Sequence, residues 1–271
     1  RDGRGHNRSG HLMRLASNPF THAIARGEKQ IGIWASLANG FAAEVIASAG
    51  FDWALIDMEH SPADYQDVLG QLQAFAASGT TAIVRPEWND PVAVKRLLDL
   101  GAQGLLFPMI QSVQEAQNAV AATRYPPRGI RGVSGATRAT KFGRITDYTS
   151  RVEDETTVIL QLETAAAIAQ AEQIAAVDGV SGVFFGPADI AADIGRLGQP
   201  LHADVWALIH PAAAKLIAAG IPVGTLVNDT AFAANLLNAG FTFVATATDA
   251  VLLARAADSA LAQVKSQLKT P

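Results

Sequence analysis

Ala54-Leu55-Ile56-Asp57-Met58-Glu59-His60-Ser61-Pro62 is an apolar run of strand character that ends in two acids and a histidine, and a proline then breaks the pattern where a helix can begin. Ionisable groups crowded at the end of a buried strand point to chemistry, and the weight of that reading depends on how the other strands end. Working outward, apolar runs at 31–37, 81–85, 104–110, 157–162, 182–185, 221–227 and 241–247 join 53–58 to make eight strands. Helices are predicted between and after them, over 41–49, 62–77, 91–100, 112–123, 165–177, 203–219, 230–239 and 249–268. Asn89-Asp90-Pro91 supplies a cap and a first-turn proline, and Gly50, Gly101, Gly220 and Gly240 fall just past helix ends.

Continuously apolar strands alternating with helices imply parallel strands covered on both faces. Eight such units are the count of a closed (β/α)8 TIM barrel of the α/β class. The rival, an open doubly wound sheet, lacks its usual support: no G-x-G-x-x-G turn follows the first strand, and no G-x-x-x-x-G-K-[ST] loop occurs. Of the 271 residues, 17–271 are read as a single barrel domain and the polar, basic, unpatterned 1–16 as a disordered arm or one of artificial origin. Hydrophobic residues make up 49% and charged ones 17%, which suits a large core, and the net charge of -4 gives no basic field for nucleic acid or an anionic membrane. The absence of cysteine excludes disulfides, thiolate metal sites and a thiol nucleophile. No apolar stretch has membrane-spanning length and the N-terminus lacks the apolar core of a signal peptide, so a cytoplasmic location is expected.

In such a barrel the active site lies at the C-terminal ends of the strands. There the chain presents Trp34, then Asp57, Glu59 and His60, then Arg85, Gln161 and Glu163, Asp189, and the stretch Thr225-Leu226-Val227. Glu163 and Asp189 are hard oxygen ligands that suit Mg2+, Mn2+ or Co2+ with open positions, although either could alternatively cap the helix that follows it. Arg85 at the end of an apolar strand suits an anion, its alternative being an ion pair with Asp57, Glu59 or Asp99. His60 suits proton transfer near neutral pH, with an acid three positions away to fix its tautomer. Gln161 shares a strand face with Glu163. The connection 124–155 is long and rich in Gly, Pro and Arg. It is either a solvated loop or an arm that packs on a neighbouring subunit.

Gly32-Ile33-Trp34, Asp57-Met58-Glu59-His60, Val84-Arg85-Pro86, Gln161-Leu162-Glu163, Gly186-Pro187-Ala188-Asp189-Ile190 and Pro126-Pro127-Arg128-Gly129-Ile130-Arg131-Gly132-Val133, in this order, resemble the HpcH/HpaI family of metal-dependent pyruvate aldolases. The resemblance implies a TIM barrel with its last helix exchanged between subunits in a homo-hexamer, a trimer of dimers. It implies Glu163 and Asp189 as ligands of a divalent metal, no organic cofactor, and pyruvate and an aldehyde as substrates. Arg85 would face the keto oxygen, Gln161 would lie against the substrate, and His60 with Asp57 would form the proton-moving dyad. Trp34, Ala188 and Leu226 would wall the pocket, and Val133 would reach a neighbour's site. The expected reaction is reversible aldol addition of pyruvate to an aldehyde, that is, retro-aldol cleavage of a 4-hydroxy-2-oxo acid. A Schiff-base route would need a lysine at a strand end, and Lys29, Lys95, Lys141, Lys215, Lys265 and Lys269 all fall elsewhere. The alternatives are an acyl-CoA or other organic-acid lyase of the citrate lyase and malyl-CoA lyase type, for which no extra domain is read, or a non-enzymatic metabolite-binding barrel.

Overall fold

The computed structural model describes residues 13–268. Eight parallel strands close into a barrel in chain order: β1 (Gln30–Ala35), β2 (Trp53–Asp57), β3 (Thr81–Arg85), β4 (Gly104–Phe107), β5 (Thr157–Leu162), β6 (Gly182–Phe185), β7 (Val223–Leu226) and β8 (Phe243–Thr248), with β8 pairing back onto β1. The helices are α1 (Pro19–Ala25), α2 (Gly40–Ala47), α3 (Tyr65–Phe75), α4 (Pro91–Asp99), α5 (Val113–Thr123), α6 (Tyr148–Arg151), α7 (Ala165–Ile168), α8 (Ala171–Ala175), α9 (Pro187–Asp193), α10 (Ala203–Ala218), α11 (Thr230–Asn238) and α12 (Asp249–Gln267). All eight expected strands are present.

The departures from expectation have local causes. The run 104–110 stops being a strand at Phe107, because Pro108 offers no N–H and Met109 turns into the left-handed region at φ 51. The helix expected from residue 62 begins at Tyr65, since Asp64 accepts from the Asp67 N–H while the Asp67 carboxylate accepts from the Asp64 N–H, a reciprocal cap. The segment 165–177 divides into α7 and α8. The arm read over 1–16 needs correction where it can be seen. Residues 1–12 lie outside the described residues, but Met13 bridges to Ile145 and Leu15 is buried, its N–H donating to Asp147 Oδ1 at 2.8 Å. Leu15 packs with Tyr148 and Val152, partners contributed by the 124–155 connection and invisible from the arm's own composition. That connection is itself held by Arg131, a buried guanidinium 4.7 Å and 5.7 Å from the Tyr125 and Tyr148 ring centres and 3.0 Å from Asp99 Oδ1.

Alternation along the strands sorts the side chains into two cores. Ile33, Ala54, Ile56, Val84, Leu105 and Leu160 face the surrounding helices, while Trp34, Trp53, Leu55, Ile83, Ile159, Phe184 and Phe243 fill the barrel. Phe20 and Ile24 of α1 complete the inner core, with the Phe20 ring 5.6 Å from Trp53 and 5.7 Å from Phe243. Two glycines make the inner layer possible. Gly32 is in register with Trp53 and Gly224 with Phe243, and a Cβ on either would stand 2.2 Å or 2.1 Å from the facing ring. With the lower barrel filled by aromatics, the polar residues are confined to the last inward layer at the C-terminal mouth.

Gly224→Ala therefore overpacks the barrel and lowers unfolding free energy by about 1–3 kcal/mol. Gly70→Ala, inside α3 where a Cβ meets nothing within 4 Å, raises it by about 0.5–1 kcal/mol. Urea titration of the two variants beside the wild type checks both signs.

Candidate active site

Asp57 and Arg85 end adjacent strands in direct register. Arg85 donates from Nε to Asp57 Oδ1 at 2.8 Å and from Nη2 to Oδ2 at 2.7 Å, a two-pronged pair with both side chains buried. Trp34 Nε1 donates to Asp57 Oδ2 at 3.2 Å, and the Glu59 N–H donates to Oδ1 at 3.0 Å. Burial pushes the Asp57 carboxyl up, but the hydrogen bonds and charge of Arg85 outweigh it and hold the group below its ordinary range. Glu59 Oε2 lies 2.9 Å from Arg85 Nη1 as an ion pair outside hydrogen-bond geometry, and burial raises the Glu59 carboxyl.

The expected pairing of His60 with Asp57 is corrected by this geometry. Both Asp57 oxygens are committed to Arg85, Trp34 and the Glu59 N–H, and the acid beside His60 is Glu59, whose Oε1 is 3.8 Å from Nε2. The His60 side chain is 65% exposed, so it can exchange protons with solvent as well as with a bound molecule. The ion-pair alternative weighed for Arg85 is realised with Asp57 and Glu59, yet Arg85 still lines the cavity. Of its five N–H donors, two serve Asp57 and one faces Glu59, which leaves two.

Glu163 and Asp189 meet across the mouth. Glu163 is buried just beyond β5, and its Oε1 accepts from the Met109 N–H at 2.8 Å. The left-handed turn at Met109 is what aims that N–H. Gly186 leaves Glu163 its space, since a Cβ there would come within 2.9 Å of Oε2. Capping does not account for Glu163, because Thr164 accepts from the Ala167 N–H to cap α7. Asp189 is exposed in the first turn of α9, beside the Glu163 carboxyl. Burial, then the Asp189 carboxylate, push Glu163 up to about 8. Gln161 sits on the same strand face with a buried Oε1 that has no hydrogen-bond partner.

These groups open into a cavity of about 640 Å³. Trp34, His60, Arg85, Gln161, Ala188, Asp189 and Leu226 line it, while Asp57 lies beneath Arg85 and Glu163 behind Gly186. Val133 stands outside it, 72% exposed on the 124–155 connection. The sequence reading missed Phe184, Asn228, Asp229 and Arg255, all of which line the cavity. Phe184 was reachable by alternation, as it precedes Gly186 by two. Arg255 lies on the surface of α12 and carries no local signal.

A polar strand-end layer in a closed barrel can be compared with known proteins as a whole. The family described as HpcH/HpaI aldolase/citrate lyase matches residues 30–256. This chain belongs to the HpcH/HpaI family. A pyruvate aldolase of Rhizobium etli is 49% identical over 93% of this chain and 99% of its own length. A 4-hydroxy-2-oxo-heptane-1,7-dioate aldolase of Salmonella paratyphi B is likewise 49% identical, over 93% of this chain and 96% of its own. The crystal structure of an HpcH/HpaI aldolase/citrate lyase family protein from Burkholderia cenocepacia superposes with a TM-score of 0.89 at 40% identity, covering 92% of this chain and all of that one. As an HpcH/HpaI protein the chain is an aldolase-type lyase built on a TIM barrel.

Two measurements test the electrostatics of this HpcH/HpaI site. Asp57→Ala leaves a buried guanidinium without its two-pronged partner and costs about 3–5 kcal/mol of stability in urea unfolding; a loss under about 1 kcal/mol would mean that Glu59 neutralises Arg85 alone. Glu163 at about 8 lies above its ordinary 4.5, so between those values the folded chain holds a proton the unfolded chain releases. Stability in chelator therefore falls as pH rises through that window, and Glu163→Gln removes this part of the slope.

Proposed function

We propose that the protein is a divalent-metal-dependent aldolase that adds pyruvate reversibly to an aldehyde, with Glu163 and Asp189 holding the metal. The observation that carries the reading is the Glu163–Asp189 pair. Two carboxyl groups sit together at the barrel mouth, burial and the second of them raise the first to about 8, and the buried Gln161 Oε1 beside them lacks a donor. Carboxylates pressed together in this way fit a hard cation better than they fit each other. Among the described residues no third Asp, Glu or His joins them as a ligand set, which suits a metal whose remaining positions take oxygens of the substrate. The bound metal supplies Lewis-acid polarisation of a 2-oxo acid, which makes the methyl protons acidic.

The residues divide the remaining work. Arg85, fixed by Asp57, points its two free donors at the charge that develops on the keto oxygen. Trp34, whose ring lies 5.0 Å from the guanidinium, walls that side. His60 takes a proton from the pyruvate methyl group; the resulting carbanion equivalent forms the new C–C bond at the aldehyde carbon, and the alkoxide so made takes a proton back. Gln161 orients the bound acid, and Ala188 and Leu226 limit the room beside it. Among the described residues no lysine lines the cavity, in keeping with a route that needs no Schiff base.

The family resemblance extends this proposal to assembly. α12 buries only Asp249 and exposes Leu253, Leu261 and Val264, a face suited to exchange onto a neighbouring subunit of a hexamer. Val133 would then complete a neighbour's cavity. Among the described residues no helix is long and apolar enough to cross a membrane, and the cytoplasm is the proposed compartment.

Pyruvate in deuterium oxide tests the central claim. Methyl exchange should require Mg2+, Mn2+ or Co2+, vanish with chelator and return on adding metal. Arg85→Ala should slow it about 100- to 1,000-fold, and Trp34→Ala far less. Covalent trapping of pyruvate by borohydride would overturn the metal mechanism.

A further inference from the structure

The cavity is larger than pyruvate needs, and its outer half is not built from strand ends. It is made of Pro200 and Leu201 from the α9–α10 connection, Asn228 and Asp229 after β7, and Arg255 in the second turn of α12. These contributors face the inner group of Arg85, Gln161 and Asp189 across the same space.

The charges of this outer half are unequal in their commitments. Asp229 Oδ1 caps α11 by accepting from the Phe232 N–H at 2.8 Å. Arg255, by contrast, makes no hydrogen bond or ion pair among the described residues, although it lines the cavity. The other arginine of the cavity, Arg85, is tied to Asp57 and Glu59. An unpaired guanidinium facing a part-apolar cavity presents a planar donor fork suited to an anion.

Its place on α12 matters too. Arg255 and Val264 are nine positions apart, about two and a half helical turns, and so lie on opposite sides of the helix. The apolar side that exposes Leu253, Leu261 and Val264 can be covered by another subunit while Arg255 keeps its view of the cavity.

We propose that Arg255 is a specificity-determining residue that binds a terminal anionic group of the acceptor aldehyde. The proposal rests on the pyruvate aldolase reading and deepens it by naming the acceptor class. Pyruvate occupies the inner half between Arg85 and the carboxylate pair. The aldehyde carbon meets it from the outer half, and the aldehyde's far end, carrying carboxylate or phosphate, reaches Arg255. Asn228, on the same rim, offers an amide donor to the same group. Cleavage of a 4-hydroxy-2-oxo-heptane-1,7-dioate, the substrate named for a relative, leaves pyruvate and a four-carbon aldehyde with such a carboxylate.

The test offers metal-loaded enzyme pyruvate with matched acceptors: succinic semialdehyde against butyraldehyde, and glyceraldehyde 3-phosphate against glyceraldehyde. The wild type should prefer the anionic member of at least one pair, and the pair preferred identifies carboxylate or phosphate. Arg255→Ala should lower that preference, the ratio of the two kcat/KM values, by about 10- to 100-fold, chiefly through KM of the anionic acceptor. Arg255→Lys should restore part of it, since an ammonium keeps the charge but not the fork. An unchanged ratio, or an equal loss with charged and neutral acceptors, would overturn the assignment. Methyl exchange of pyruvate in the wild type separates the two failures. If exchange occurs while the ratio ignores Arg255, the inference alone fails; if no exchange occurs with any divalent metal, the aldolase reading fails first.

Discussion

A guanidinium and a carboxylate in register on two adjacent strands form the hinge between the structural and chemical halves of this barrel. Asp57 and Arg85 each end an apolar strand, where an isolated charge would be strongly unfavourable, and each makes the other tolerable. The pairing fixes the plane of the guanidinium, receives the Trp34 indole N–H and the Glu59 backbone N–H, and leaves donors pointed outward. Above the pair the barrel opens into the cavity; below it the interior is closed by Trp53, Leu55, Ile83, Ile159 and Phe243. Because the two strands are locked at that level, the neighbouring layer of Gln161 and Glu163 meets the cavity at a defined height.

Much of this was legible in the chain. Continuous apolar runs revealed all eight strands, since strands buried on both faces carry their signal in every residue. Strand-end polar residues revealed most of the site, because parity forces Gln161 and Glu163 to one side. What could not be read depended on contacts between distant segments. Asp57 is three residues from His60 but belongs to Arg85, a bond set by register across the β2–β3 pair rather than by spacing along the chain. Leu15 is buried only because Tyr148 and Val152 come to meet it. Arg255 is one arginine on an amphipathic helix, and only the closure of the barrel brings it over the mouth.

The carboxylate pair shows how the fold stores electrostatic tension at the site. Glu163 is enclosed by Gly186, tied to the Met109 N–H and set against Asp189, so its charge is disfavoured. Holding Met109 in a left-handed conformation costs the chain some backbone energy, and the return is a carboxylate held in one orientation.

Phe184 gives the barrel a further property. Its ring forms part of the cavity floor, lies 5.5 Å from Trp34, and leans on Phe243, which touches the Phe20 of the helix that stoppers the opposite end. A single stack of rings thus runs from the floor of the reaction chamber to the base of the molecule. Reshaping the floor to admit a new substrate would loosen the stopper, whereas exchanging residues on the rim, in the loops and on α12, disturbs no such column. Substitution at the outer rim therefore proceeds without the packing penalty that a change at the floor carries down to the far end of the barrel.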